Sequence, residues 1–189
     1  MGRRPNEFIG IISVSYNIFH EIKGSDMVLE YVPAKNHDHF AKLKSAYNEI
    51  FNTPEIRRYL SFTMLPFDQK TIDQWFKTHL KSGIRYFVNE EQGAINGILI
   101  IKADRTLGFE LFAIGVRSES RGTGIGRRLV EIGNEVARKE GFRAVDVMVF
   151  CDNKPMLKLL IDLEFIPTRI NYHIRADGAD VLHLKKYLR

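Results

Sequence analysis

Hydrophobic positions recur along this chain with two periods, and the switches between them mark out the elements. Residues 28–32 alternate as a strand does and stop at Pro33. From 39 to 51, Phe40, Leu43, Tyr47 and Ile50 fall at helical spacing, and Asn52-Thr53-Pro54-Glu55 then has the form of a helix start. Residues 68–80 predict a third helix with Ile72, Trp75, Phe76 and His79 on one side. Runs at 86–89, 93–102 and 107–116 predict a three-strand meander, with turns at Glu91-Gln92-Gly93 and Asp104-Arg105. Residues 125–139 place Ile125, Leu129, Ile132 and Val136 on one face, and Gly141 follows as a terminator. A strand at 144–150, a helix at about 154–163 and a closing hairpin of 170–175 with 181–186 around Asp177-Gly178 complete the pattern.

This succession predicts an α/β (α+β) fold, a mixed, twisted, mostly antiparallel sheet of about seven strands flanked by helices. A length of 189 residues, 44% hydrophobic, suffices for one core. That core is expected in residues 27–189, with 1–26 as an N-terminal extension. Phe8 to Phe19 is apolar and follows Arg3 and Arg4, but Asn17 and His20 stand where a signal cleavage site would lie, which argues against export. No run approaches the roughly 20 apolar residues that span a bilayer. The single cysteine, Cys151, allows no internal disulfide framework and fits a reducing, cytoplasmic setting. A net charge of +5 suits an anionic cofactor, a nucleic acid or an acidic partner. No aromatic-rich basic stretch or recognition-helix signature supports nucleic acid. His37, Asp38 and His39 have metal-like composition without further clustered ligands, so a solvated helix start is expected and no metal.

The run Arg121-Gly122-Thr123-Gly124-Ile125-Gly126 lies between a strand pattern and an amphipathic helix pattern. Glycines let the main chain turn with its amides converging, and the first turn of a helix leaves N–H groups unpaired at the positive end of its dipole, so a phosphate or diphosphate fits there. Arg117, Arg121, Arg127 and Arg128 against Glu119 give a formal local charge of 4 − 1 = +3. A Walker A loop needs Gly-Lys followed by Ser or Thr, whereas Gly126 precedes Arg127 and Arg128. A dinucleotide fingerprint needs Gly-x-Gly-x-x-Gly, and Gly122, Gly124 and Gly126 are spaced by two.

From about Met27 to Arg189 the chain resembles the GNAT superfamily of N-acetyltransferases. The family's acetyl-CoA loop reads Arg or Gln, two residues, Gly, one residue, Gly or Ala, positions held here by Arg121, Gly124 and Gly126. Glu110 to Val116 is similar to its fourth strand, and Asn153 with the apolar helix after it to its last conserved block. Ile56 to Leu60 more faintly resembles the branch that includes the ribosomal-protein N-terminal acetyltransferases. The resemblance implies acetyl-CoA as co-substrate, lying in a splay between strands four and five. It assigns the diphosphate to Arg121, Gly122, Thr123, Gly124, Ile125, Gly126 and Arg127, and pantetheine contact to Asn153, which helix capping alone also explains. A bulge in the fourth strand is implied, offering a main-chain N–H to the acetyl carbonyl at Ile114, Gly115 or Val116, with Gly115 suited to it.

Amide formation requires a neutral amine, a stabilised oxyanion and a departing thiolate. Glu110 stands six residues before Val116, the offset of the catalytic glutamate in histone-type members, and its apolar neighbours Phe109, Leu111 and Phe112 would raise its pKa. An exposed strand carboxylate without a catalytic part is the competing reading. The family's tyrosine acid, seven residues past the Asn, is replaced by Leu160, and Glu164 stands where a glycine usually precedes Phe165. Tyr172, His173 and His183 are substitutes that nothing in the sequence selects among. The resemblance therefore implies an N-acetyltransferase acting on a primary amine of a small molecule or protein, as monomer or homodimer. The alternative is a non-catalytic acyl-CoA-binding or regulatory domain. The acceptor is expected to be shaped by the early helices, around Arg57, Tyr59, Trp75 and Phe76, and by the last hairpin.

Overall fold

A computed structural model of the protein describes residues 27–32, 36–79 and 82–189. The elements are β1 Met27–Tyr31, α1 His37–Phe51, α2 Pro54–Arg58, α3 Gln69–His79, β2 Ile84–Glu91, β3 Ala94–Asp104, β4 Gly108–Val116, a 3₁₀ turn Ser118–Ser120, α4 Ile125–Lys139, β5 Ala144–Phe150, α5 Lys154–Asp162, β6 Ile166–Asn171 and β7 Val181–Tyr187. The reading of residues 1–26 as an extension lies outside the described residues.

Side-chain caps start four helices: Asn36 for α1, Thr53 for α2, Asp68 for α3 and Asn153 for α5 each accept hydrogen bonds from main-chain N–H groups of the first turn. His37 to His39 therefore form a capped first turn, with the His39 ring stacked on Tyr31 at 4.0 Å. Seven strands build one sheet in the order β1-β2-β3-β4-β5-β7-β6. All neighbours are antiparallel except β4 and β5, whose parallel pairing needs a crossover that α4 supplies. That pair meets only at Glu110–Asp146 and Leu111–Val147 and then diverges.

One core lies between the sheet and α4 with α5, where Leu129, Val130, Ile132 and Val136 of α4 bury against Leu99, Leu111 and Val145. Each such side chain contributes about 1.5–3 kcal/mol on burial. A second core lies on the opposite face beneath α1 and α3, over β1 to β4 only. Among the described residues no side chain of β5, β6 or β7 joins it.

The closing hairpin differs from the sequence reading. Its first strand is Ile166–Asn171 rather than 170–175, and residues 172–180 form the connection containing Asp177-Gly178. β6 is an edge strand exposed along nearly its whole length, so no alternation marks it. Arg175, expected in that strand, is instead 2% exposed, drawn into a cluster of carboxylates.

Candidate active site

The divergence of β4 from β5 opens a cleft of about 280 Å³. Its walls are β4 from Leu111 to Val116, Val147 to Val149 of β5, Tyr59 and Leu60 after α2, the start of α5, and the glycine loop. Ile114, Gly115, Val116, Arg121, Gly122, Gly126 and Asn153 line it, whereas Thr123 and Gly124 of the loop and Ile125 and Arg127 of the first turn of α4 do not.

The loop end is built from main chain. Gly122 and Gly124 sit at φ +79° and +96°, left-handed values that side chains resist, and Gly124 starts α4 without any side-chain cap. The first hydrogen bond of α4 runs from Arg128 N to Gly124 O at 3.0 Å. Among the described residues nothing accepts from the N–H groups of 122–127. Those donors, backed by the helix dipole, make an anion site whose glycines leave it open.

The local charge of +3 does not survive folding. Arg117 pairs with Glu49, Arg121 with Glu55 at 2.7 Å, Arg127 with Asp162 at 3.8 Å and Arg128 with Glu135 at 3.1 Å. These carboxylates lie outside the local run, so a count along the sequence could not include them.

The bulge is also placed differently. Ile100 faces Ala113 and Ile101 faces Leu111, which leaves Phe112 as the extra residue. Gly115 pairs regularly with Ile98. It is glycine because α1 presses on it: an added Cβ would lie 2.4 Å from the Phe51 ring and 2.6 Å from Ile50. Arg117 N bonds to Asn96 O on β3, so strand alternation turns the N–H of Gly115 toward β3 as well. Ile114 and Val116 are thereby the two residues whose N–H groups aim into the splay.

Glu110 stands below the foot of the cleft, one rung before the last paired one, and does not line it. Lys102, Glu110, Asp146 and Lys185 form one row across β3, β4, β5 and β7. Lys185 holds Asp146 at 2.7 Å, while the Glu110 carboxylate makes no ion pair or hydrogen bond among the described residues. Burial raises the Glu110 pKa, Asp146 adds to the rise and Lys102 opposes it. Phe109 and Leu111, which the sequence suggested as the cause, point into the α4 core on the other face.

Leu160, in the position of the family's tyrosine acid, is wholly buried in the core with α4, and of the substitutes Tyr172, His173 and His183 none lines the cleft. Tyr59 does. Trp75 packs in the α1/α3 core against Phe67, and Phe76 lies within it, both away from the cleft. Arg57 is spent on the main chain of Asn52 and Met64. Burial and the nearby Asp180 and Asp152 raise the Cys151 thiol, so it is not an activated nucleophile. Sequence reasoning missed Met148 and took Phe112 only as a neighbour of Glu110; the signal for Met148 was an apolar residue on the face of β5 opposite Val145, Val147 and Val149.

A second side-chain cluster braces the α2 wall. The Arg175 guanidinium donates to Asp152 at 2.6 and 3.1 Å, to Asp177 at 2.7 and 2.9 Å and to the Arg58 carbonyl at 2.8 Å. Asp152 also accepts from Arg58 at 3.0 Å. One buried cation thus ties α2, the end of β5 and the β6–β7 connection together.

No helix among the described residues is long and apolar enough to cross a membrane, and none of their His, Cys, Asp and Glu side chains cluster as a metal site. No curated protein sequence matches the chain. The family model described as "Acetyltransferase (GNAT) family" matches residues 44–165. Among solved structures, an N-acetyltransferase from Staphylococcus aureus Mu50 is 20% identical at TM-score 0.67, over 88% of this chain and 100% of that one. A GNAT superfamily phosphinothricin acetyltransferase from Sinorhizobium meliloti, in complex with AcCoA, is 20% identical at TM-score 0.70, over 87% and 89%. The ribosomal-protein-S18-alanine N-acetyltransferase from Escherichia coli is 19% identical at TM-score 0.65, over 86% and 93%. A parallel strand pair splayed over a glycine-started helix, inside a seven-stranded sheet that these structures share, and a family match over most of the chain lead to one conclusion: the chain belongs to the GNAT family of acetyltransferases.

Proposed function

We propose that the protein is an acetyl-CoA-dependent N-acetyltransferase that acetylates a primary amine by direct attack on the thioester. The observation that carries this reading is the continuity of the cleft, from the unpaired N–H groups of the glycine loop to Leu111 at the foot of the splay, with Glu110 one residue below and without a partner among the described residues. The N–H groups of Gly122 to Arg127 hold the diphosphate, Asn153 lies along the pantetheine arm, and the open glycine turns supply the room such a group needs. Acetyl-CoA brings an activated acyl group as its thioester.

The protein's own groups do the rest. Main-chain N–H groups of Ile114 and Val116 meet the charge that develops on the acetyl oxygen. Glu110, directly or through a water, accepts the proton that the nitrogen sheds as the N–C bond forms and the C–S bond breaks. Tyr59 donates a proton to the sulfur, in place of the tyrosine that Leu160 replaces.

Thiol release from acetyl-CoA across a panel of amines tests the reading. E110Q is expected to lower kcat by roughly 10²–10⁴-fold with CoA affinity kept. Y59F is expected to lower it by about tenfold or less, because a thiol of pKa near 8.5 is already a fair leaving group. Unchanged turnover in E110Q removes Glu110 as the base. Intact CoA binding with no transfer to any amine supports the non-catalytic alternative.

A further inference from the structure

The cleft crosses the sheet, and its two ends differ in kind. On the α4 side Ile114, Val116 and the glycine loop wall it; on the other it opens between Phe112 and Met148, 46% and 45% exposed. Phe112 is there because the bulge re-aims it. Its ring meets His79 edge-on at 6.1 Å, and His79 Nδ1 lies 2.6 Å from the hydroxyl of Tyr86, which is buried. The aromatic face at the mouth is thus supported from behind. Ile56, Tyr59 and Leu60 continue the apolar lining, and the Arg175 cluster braces that wall.

Charge is sparse at this end. The charged lining residues Glu55 and Arg121 pair with each other at the loop end. Below the mouth runs the row Lys102, Glu110, Asp146 and Lys185, with the carboxylates at its centre and Lys185 held by Asp146, and His183 stands opposite Met148 with Arg169 hydrogen-bonded to its ring at 3.1 Å. A nitrogen bound for Glu110 therefore passes between an aromatic ring and a thioether, and the cations of this face, Lys102 and Arg169, stand outside the cleft lining. Exposed apolar side chains gathered around an opening mark a contact surface for an apolar ligand.

We propose that Phe112 and Met148 determine acceptor specificity, and that the acceptor is a primary amine carried on an aromatic or other apolar group, without a carboxylate or phosphate beside the nitrogen. This rests on the acetyltransferase reading and names its second substrate. The apolar body lies against Phe112, Met148 and Leu60 while the nitrogen faces Glu110.

The test compares kcat/KM for phenethylamine, ethanolamine and phenylalanine. Phenethylamine is expected to be the best of the three in the native protein. F112A is expected to lower its kcat/KM about tenfold, with ethanolamine changed less than about twofold and CoA affinity kept, the size of discrimination an apolar pocket supplies. An independent reading is the Met148 methyl resonance of the CoA-loaded protein, identified with M148L, which is expected to shift with phenethylamine and not with ethanolamine. If no amine is acetylated yet that methyl still responds selectively, the transfer reading falls and the apolar acceptor site stands. If the methyl does not respond, or if F112A changes kcat/KM for phenethylamine and for ethanolamine by the same factor, the proposal is overturned.

Discussion

The two ends of the cleft are built by different means. At the loop end the ligand-facing groups are main-chain donors, and their positions follow from two left-handed glycines and the start of one helix within a run of six residues. At the acceptor end side chains from α2, β4, β5 and the β6–β7 connection converge, and Arg175 and Arg58 meet although 117 residues apart in sequence. The first kind of site needs only local backbone conformation; the second needs the whole fold. A substitution at the loop end should therefore cost cofactor affinity with the fold intact, and one at the acceptor bracing should do the reverse.

Among substitutions that separate the two ends, the largest effect is expected from G124V. A β-branched residue at φ +96° costs of order 1–3 kcal/mol in backbone strain, and the amides at the start of α4 move with it. CoA affinity should fall by roughly 10–100-fold in calorimetry, with the circular dichroism spectrum kept. R175M is the converse. Removing a buried cation that satisfies Asp152 and Asp177 is expected to cost about 2–3 kcal/mol in urea unfolding, less than a sealed ion pair because both carboxylates are partly exposed. Its CoA affinity should change little.

L160Y restores the residue type usual in the family at that position and is expected to gain nothing. Leu160 is wholly buried beneath α4, so the larger ring should destabilise by about 1–3 kcal/mol with no rise in kcat. A rise in kcat would show that the tyrosine can reach the sulfur after all.

The smallest effect concerns pH. As the proposed base, Glu110 must be ionised to accept a proton, so turnover is expected to fall as pH drops through its raised pKa. Asp146 contributes to that rise, so D146N should move the acidic limb of the kcat profile to lower pH. The stability linkage has the opposite sign to that of an ordinary carboxylate. A glutamate raised in the folded state stabilises the fold fully below the ordinary carboxylate value and loses that contribution as pH rises through the raised value. E110Q should consequently match the native Tm in acid and exceed it slightly at neutral pH.

The same contrast explains what could be read from the chain alone. Periodicity located α1, α4, β5 and the meander, since each has a buried face with a regular repeat. It failed at β6, which is exposed on both faces and has no repeat to show. The glycine loop was legible because its backbone conformation depends on glycines that can be seen in order. The arginine pairing was not, because Glu49, Glu55 and Asp162 reach the loop only after folding. Gly115 was noticed for the wrong reason: its missing side chain makes room for Phe51 and Ile50, and the bulge belongs to Phe112. Tyr59 was noticed only as one of four acceptor-shaping residues, and the structure keeps it on the cleft while sending Trp75 and Phe76 into the core.

The central claim is that unpaired main-chain donors between β4 and α4 hold the diphosphate of coenzyme A. Titrating coenzyme A into ¹⁵N-labelled protein, native and G124V, tests it most directly. Saturable shifts of the amide resonances from Gly122 to Arg127, lost in G124V, are the predicted result; binding that leaves those amides unmoved, or no binding at all, would contradict it.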